Sequence, residues 1–534
     1  MHIGTTISKL RYDVNLTQEQ FADLFGVSQQ TVQKWESGAS APNLDKIIAI
    51  SKYFDISLDS LILGNDNRTI EESNKARTIK PQYQNMHEWE LYASNLFLEY
   101  QQSIEEGLDI EKYKDVFLSI SRLPKSEIKK KFSDVLFEIV ISADQRDGYK
   151  YIEPSELEKI RTLRKNNTPV LSRNSTALQT AYNKAALQNK IHGAWMGRIC
   201  GCMLGKSVEC IRTNELIPFL KETDNYPMHR YIYRSDLTDD IINKYKFGFK
   251  SRVYADEIDG MPVDDDTNYV VLAQEVIQKY GKDFTPRDMS QAWLSYQCKD
   301  AYCTAERVAF CNFVNGFAPP ESAIYQNPYR EWIGAQIRGD YFGYINPGNP
   351  ELAAEMAWRD ASISHVKNGI YGEMFVAAML AVAAYTSNIK EIIAGGLAEI
   401  PHTSRLYEDV TSVIEAYNSG IPQKECFDMI HSKYDEYTGH GWCHVISNAM
   451  IVAAALLYGE GDFGKSICMA VETGFDTDCN GATVGSILGM ANGIDSIPEY
   501  WKKPINDTLH TSIFGVGTVK ISDRVKLTME HIGD

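Results

Sequence analysis

The chain has 534 residues and a net charge of -17 at pH 7, which makes it too long for one ordinary core and, as a prior, room for about three domains. With 44% hydrophobic and 23% charged residues it has the make-up of a globular protein, and its acidic balance excludes binding to nucleic acid or anionic lipid by bulk charge, so any DNA contact has to come from a local patch. The ten cysteines show no paired CxxC spacing and read as reduced thiols. The first residues lack the charged-then-apolar pattern of a signal peptide. The longest apolar stretch, Ala449 to Tyr458, is too short to span a bilayer. A cytoplasmic protein without a membrane partner is expected.

Residues 1–65 read as five short helices. The first covers Thr5 to Arg11. Thr17-Gln-Glu-Gln20 is a capping-box pattern that starts a second helix through Phe25. Gly26 supplies a tight turn, Ser28 caps a third helix through Trp35, Pro42-Asn43 caps a fourth and Ser57 starts a fifth. Leu10, Phe21, Leu24, Val27, Val32, Trp35, Ile47, Ile50 and Phe54 fall at helical spacing and predict one small core. Two helices joined by a short glycine turn make a helix-turn-helix. The string LTQEQFADLFGVSQQTVQKWESGASAPNLDKIIAISKYFDISLDSLI resembles the Xre/Cro-repressor family along its whole length. The resemblance implies a recognition helix at Ser28 to Glu36, with Gln29, Gln30, Thr31, Gln33 and Lys34 facing the major groove, and modules of this type commonly act as homodimers. Lys9, Arg11, Lys34, Lys46 and Lys52 stand against a slight excess of acidic residues, so phosphate affinity should be modest and salt-dependent. A module that binds protein or only dimerises is the alternative.

Residues 66–180 read as linker and helical connector. Asp66 to Gln82 is polar and poor in large apolar residues, a linker composition. From Met86 to Phe137 the spacing of Trp89, Tyr92, Leu96, Tyr100, Phe117, Ile120, Phe132 and Leu136 is helical, with Pro124 separating two helices. Pro154 opens another helix at its first turn, and Asn166 to Ser175 is again linker-like. No chemical motif appears in this stretch. Residues 181–534 are dominated by helical periodicity and small residues. The Ala-rich runs Phe375 to Tyr385 and Ala449 to Leu457 predict helices buried on most sides.

Three motifs in this last region carry chemistry. Gly193, Gly197, Gly201 and Gly205 recur every four residues on one helical face and allow a backbone or a ligand to come close, and Glu209 follows. Asp264-Asp265-Asp266-Thr267 sets three like charges side by side at the start of a predicted helix, a repulsion that a hard divalent cation resolves; an N-cap with solvated neighbours is the plain alternative. Asp476-Thr-Asp478 precedes a glycine-rich helix through Gly485 and Gly489, and the lack of a downstream Glu at the required spacing excludes an EF-hand. His440 and His444 stand at i, i+4, a spacing that binds zinc on a helix, but no third ligand is evident nearby and polar cleft residues are the favoured reading.

These motifs, in this order, resemble the ADP-ribosylglycohydrolase family, and the resemblance extends across NPYREWIGAQIRGDYFGYINPGNPELAAEMAWRDASISHVKNGIYGEMFVAAML and HVISNAMIVAAALLYGEGDF. It implies an all-α fold and two Mg2+ or Mn2+ ions at the mouth of a cleft. The implied metal ligands are Asp264, Asp265, Asp266, Asp476 and Asp478, with Glu209, Asp265 and Asp266 as catalytic residues. Gly334 and Gln336 map onto the substrate-phosphate loop and His365 onto the adenosine side. The implied activity is metal-dependent hydrolysis of the glycosidic bond of an ADP-ribosylated protein, nucleic acid or small molecule. The alternative is an ADP-ribose-sensing transcriptional regulator with weak or no turnover. The sequence departs from the family where many members have Thr at Asp264, Asp at Lys206 and Thr at Cys479, and a thiol is a poor ligand for hard magnesium.

Overall fold

The computed structural model describes residues 2–64, 87–165, 183–245 and 248–533. The two predicted linkers, Asp66–Gln82 and Asn166–Ser175, lie outside the described residues. The chain forms two compact units, Met1–Asn85 and Met86–Asp534. Both are helical, as expected. Among the described residues the only strands are β1 (Thr508–His510) and β2 (Thr518–Lys520), an antiparallel pair with Leu509 opposite Val519.

The first unit contains α1 (His2–Asp13), α2 (Gln18–Leu24), α3 (Gln29–Glu36), α4 (Leu44–Phe54) and α5 (Leu58–Leu63). Each cap read from the sequence forms. Thr17 Oγ1 accepts from Gln20 N at 3.2 Å while Thr17 N donates to Gln20 Oε1 at 2.9 Å, the two arms of a capping box. Ser28, Asn43 and Ser57 each accept from a backbone N–H in the first turn they cap. Gly26, at φ +58°, makes the turn between α2 and α3. The core is Ile3, Ile7, Phe21, Phe25, Val32, Trp35, Ile50 and Leu61. Leu24, expected inside, is exposed. The buried side of α2 runs from Phe21 to Phe25, one turn on, whose rings lie 4.8 Å apart, and this turns Leu24 outward. α1 also begins earlier than the predicted Thr5, which brings in Ile3. Arg11 ties α1 to the end of α3 through two hydrogen bonds to the Glu36 carboxylate at 2.7 and 3.0 Å.

The second unit starts with α6 (Leu96–Glu105), α7 (Lys114–Ser121), α8 (Glu127–Ile141) and α9 (Leu157–Thr162). Leu96, Phe117, Leu136, Phe137 and Val140 give α6 to α8 a small core of their own. The larger core follows with α10 (Lys184–Lys206), α11 (Asp265–Tyr280), α12 (Thr304–Val314), α13 (Pro350–Ala361), α14 (Lys367–Ala383), α15 (Arg405–Asn418), α16 (Val445–Tyr458), α17 (Phe463–Glu472), α18 (Thr477–Asn492) and α19 (Ile521–Gly533). α14 is buried from Asn368 to Ala383 and α16 from Val445 to Leu457, the burial their alanine-rich, stripe-free sequences predict.

Two devices hold this unit in register. The first is a glycine seam between α10 and α18. A Cβ at Gly193, Gly197 or Gly201 would collide with the backbone of Gly489, Gly485 or Gly481 respectively, and one at Gly205 would collide with Thr477 and Asp478. Glycine is thus required by backbone-to-backbone packing, and the seam brings the C-terminus of α10 against the N-terminus of α18. The second is a buried ionic network between α6–α9 and the large core. Arg330 donates to Glu99 at 2.8 Å and Glu106 at 2.6 Å, Lys367 lies 2.7 Å from Glu106, and Arg405 pairs with Glu153 and Glu331 at 2.8 Å each. Gln102 donates to Glu331 at 2.6 Å. Three buried or half-buried cations of the large core are therefore neutralised largely from residues 99–153.

Candidate active site

Where α10 ends, α11 and α18 begin. Asp264 is the N-cap of α11 and accepts from Asp266 N at 2.9 Å. Asp265 and Asp266 occupy its first turn, and Asp476 and Asp478 stand at the N-cap and in the first turn of α18. Carboxylates at two helix N-termini sit at the positive ends of the peptide dipoles, which offsets part of their repulsion. The nearest ligand atoms of Asp266, Asp478 and Cys479 all lie within 4.8 Å of one another, and so do those of Cys202, Asp264 and Asp266.

Arg198 and Lys206 reach the cluster. Arg198, fully buried on α10, donates to Asp266 Oδ1 at 2.8 Å, to the Asp266 carbonyl at 2.8 Å and to Asp340 Oδ2 at 2.8 Å. Lys206 Nζ lies 2.5 Å from Asp264 Oδ2. These contacts do not saturate the acids. Among the described residues Asp266 Oδ2 and Asp478 Oδ1 are buried without a hydrogen-bond partner, a state that disfavours both oxygens unless a further cation or donor meets them.

The electrostatics follow from this crowding. Burial, then the Asp476 and Asp264 charges, push Glu209 up to about 7. Asp265 rises through burial and the Asp264 and Glu209 charges, and Asp478 through burial and the charges of Glu209 and Asp476. Asp266 also rises, since burial outweighs Arg198. Burial raises Asp476 too, against hydrogen bonds from Asp478, Cys479 and Cys443. Lys206 moves above its ordinary range because Asp264 outweighs its burial. The donor set is one that takes a divalent cation: clustered carboxylate oxygens, two of them without partners, on two converging helix ends.

The other expected site residues lie apart from these contacts. Gly334 packs directly on the Glu306 carboxylate. The Gln336 side-chain amide is fully buried with no hydrogen-bond partner among the described residues. His365 is fully buried, with Nδ1 2.8 Å from Ser364 Oγ and Nε2 without a partner among the described residues. Burial, reinforced by the Arg338 charge, holds its pKa well below the usual imidazole range.

His440 and His444 do have a third neighbour, which the sequence did not show: Glu105, from the end of α6. His440 Nε2 is 2.9 Å and His444 Nε2 3.9 Å from Glu105 Oε2. The tautomers decide what this group is. His440 Nδ1 accepts from the Trp332 indole at 3.2 Å and His444 Nδ1 accepts from Ile446 N at 3.2 Å. In the neutral rings each Nε2 then carries the hydrogen: His440 Nε2 donates to Glu105 at 2.9 Å, whereas His444 Nε2 has no hydrogen-bond partner among the described residues. Burial holds His440 below its ordinary range; burial also works against the Glu105 charge, but the hydrogen bonds from His440 and Gln101 and the two histidines together hold Glu105 below the usual carboxylate range. The group is a polar clamp on α6. Arg198, a charge inside an apolar helix, could have been noticed in the sequence; Glu105, hundreds of residues from its partners, carried no signal.

On α3, Gln29, Gln30, Gln33 and Lys34 are exposed and Val32 and Trp35 are buried. Thr31 is half-buried, its hydroxyl 2.8 Å from Ser28 Oγ.

The fold and site define an all-helical domain built around a buried acidic centre, in a chain that also carries a helix-turn-helix unit. The family model described as ADP-ribosylglycohydrolase matches residues 183–528, well over half of the chain, and the chain belongs to that family. The model described as helix-turn-helix matches residues 7–61. The N-terminal part is similar to the HTH-type transcriptional activator BcrR of Enterococcus faecalis, 36% identical over 83 residues, 16% of this chain and 41% of that protein. It is also similar to the cryptic phage CTXphi transcriptional repressor RstR of Vibrio cholerae, 34% identical over 61 residues, 11% of this chain and 54% of that one. The chain thus spans about half the length of the curated relatives it matches. A solved structure titled ADP-ribosylglycohydrolase-related protein complex is 18% identical, with a TM-score of 0.40, over 65% of this chain and 99% of that one. The family supports glycohydrolase activity for the large domain, and the helix-turn-helix supports DNA binding. Among the described residues no helix is long and apolar enough to cross a membrane.

Proposed function

We propose that residues 181–534 hydrolyse the glycosidic bond between the ribose of ADP-ribose and an acceptor, using two Mg2+ or Mn2+ ions, and that residues 1–65 bring this activity to DNA. Residues 66–180 then join the two. The observation that carries the reading is that Asp264 and Asp478 each come close to Asp266, in two groups that share it, with Asp266 Oδ2 and Asp478 Oδ1 left without partners among the described residues. Asp264, Asp265, Asp266, Asp476 and Asp478 would hold the ions, which supply Lewis-acid stabilisation and orient the ribose hydroxyls when bound.

The remaining chemistry belongs to the chain. Departure of the acceptor builds positive charge at the anomeric carbon, and the Asp265 and Asp266 carboxylates are the negative charges that stabilise it. Glu209, beside these acids, is the group that gives a proton to the leaving atom and then takes one from the attacking water. On the substrate side, backbone amides around Gly334 would receive the diphosphate, and Gln336 and His365 offer buried polar atoms without partners among the described residues. Gln29, Gln30, Thr31, Gln33 and Lys34 on α3 would read the major groove, with a homodimer as the expected form on DNA. The Lys206–Asp264 ion pair favours a second reading, a regulator that binds ADP-ribose and turns it over slowly, because Lys206 already neutralises one of the acids.

Hydrolysis of a panel of ADP-ribosylated proteins, nucleic acids and small molecules, with and without Mg2+, separates the two. Metal-dependent release that disappears in Asp476→Ala plus Asp478→Ala supports the hydrolase. Tight ADP-ribose binding without release from any substrate supports the regulator.

A further inference from the structure

In a chain of net charge -17, the turn between α7 and α8 reverses the sign. From Val116 to Ser133 the sequence carries Arg122, Lys125, Lys129, Lys130 and Lys131 against Glu127 alone. Lys129 is used internally: its Nζ donates to the Ser121 carbonyl at 2.8 Å, at the negative end of the α7 dipole. The other four cations are exposed, and none of them makes an ion pair among the described residues. The surface around them is different, since Lys112 pairs with Asp109, Arg146 with Glu111 and Lys150 with Glu408. Asp134, the next acid along α8, accepts from Gln326 Nε2 at 2.9 Å and so is held by the large core.

The apolar side chains of α8 divide between two faces. Leu136, Phe137 and Val140 fill the small core below. Ile128, Lys131, Phe132 and Val135 stand at i, i+3, i+4 and i+7 on the outer face, where Ile128 is 65% exposed, Phe132 47% and Val135 58%. Lys131 in the middle of this face breaks the continuous apolar seam that a partner helix needs. An open aromatic ring set among unpaired cations is instead the combination that holds unpaired bases and their phosphates. Lysine, a flexible point charge, suits a phosphate backbone that presents no fixed geometry. At 1.5 Å per residue, Ile128 and Val135 are about 10 Å apart, the length of about three nucleotides at roughly 3.4 Å each.

We propose that the α7–α8 turn and the outer face of α8 bind a single nucleic-acid strand without sequence preference, its phosphates on Arg122, Lys125, Lys130 and Lys131 and a base stacked on Phe132. This surface is separate from α3 and takes a different form of nucleic acid, since a recognition helix needs the major groove of a duplex.

The test measures binding of an oligothymidylate of about 12 nucleotides, which forms no duplex, to the full chain by fluorescence anisotropy across a range of salt. Each phosphate contact on a single strand contributes about 0.7 to the slope of log affinity against log salt, so Lys125→Ala, Lys130→Ala and Lys131→Ala combined should lower the slope by about two. Phe132→Ala should weaken binding about tenfold with the slope unchanged. Both variants should melt at the wild-type Tm, because every altered side chain is exposed. No binding of the oligonucleotide, or binding that both variants retain with wild-type affinity and slope, overturns the proposal. Attachment of phosphatidylserine–phosphatidylcholine vesicles or of polyglutamate through these residues, in place of the oligonucleotide, overturns it as well.

Discussion

Glu106 tests how the helical segment before the large core is held to it. Its carboxylate accepts from Arg330 Nε at 2.6 Å and from Gln102 at 3.0 Å, and it lies 2.7 Å from Lys367 Nζ. Arg330, Lys367, Glu99 and Glu106 together are neutral. Glu106→Gln keeps the shape, removes one charge and leaves a net positive charge where Glu106 and Arg330 are buried. Breaking a buried pair from one side costs about 3–5 kcal/mol. Unfolding entropy of about 2.1 cal/mol/K per residue over a unit of about 450 residues makes each kcal/mol worth roughly 1 °C, so Tm should fall by about 3–5 °C. Glu106→Leu combined with Lys367→Leu should recover most of the loss, since an apolar pair of similar size replaces buried ions at little net cost. Scanning calorimetry of the full chain, following the transition of the larger unit, measures both. A fall below about 1 °C for Glu106→Gln, or a double variant as unstable as the single one, would refute the charge argument.

Gly201→Ala puts a methyl group into the Gly481 backbone; overpacking costs about 1–3 kcal/mol, and spreading α10 from α18 should also weaken divalent-ion binding, measured by titration calorimetry, through displacement of Asp478. His365 has a folded pKa below its unfolded value of about 6.5. The stability it contributes is present above pH 6.5 and is lost as pH falls toward the folded pKa, by about 1.4 kcal/mol per unit; the stability difference between wild type and His365→Gln, from urea unfolding, should narrow by about 1.4 kcal/mol between pH 7.5 and 5.5, and parallel profiles would contradict this. On α3, Lys34→Ala should reduce the salt slope of DNA binding by about one and Gln33→Ala should relax preference at one base position by about 1–3 kcal/mol, both without lowering the Tm of the first unit because both side chains are exposed.

Local chemistry was legible in the sequence and long-range chemistry was not. The caps at Thr17, Ser28, Asn43 and Ser57 rest on contacts two or three residues away, and each appears in the structure. The alanine-rich runs gave α14 and α16 because burial on all sides removes any polar stripe. The acidic strings marked the helix starts at Asp264 and Asp476. Leu24 and Phe25 were exchanged because apolar spacing alone does not say which neighbour points inward at a helix end. The glycine ladder announced a close approach, but its partner at Gly481, Gly485 and Gly489 lies almost 300 residues further on and could not be paired from spacing. The same separation hid the contributions of Glu99, Glu105, Glu106 and Glu153, which in sequence are ordinary helix-surface acids.

The most direct test of the central claim is single-turnover release of ADP-ribose by the full chain, wild type against Asp478→Asn, from whichever substrate of the panel is cleaved, with divalent ion supplied and then chelated. The account predicts release that requires the ion and falls by about a hundredfold or more in Asp478→Asn while ADP-ribose still binds. Release that continues after chelation, or at the same rate in Asp478→Asn, would contradict it.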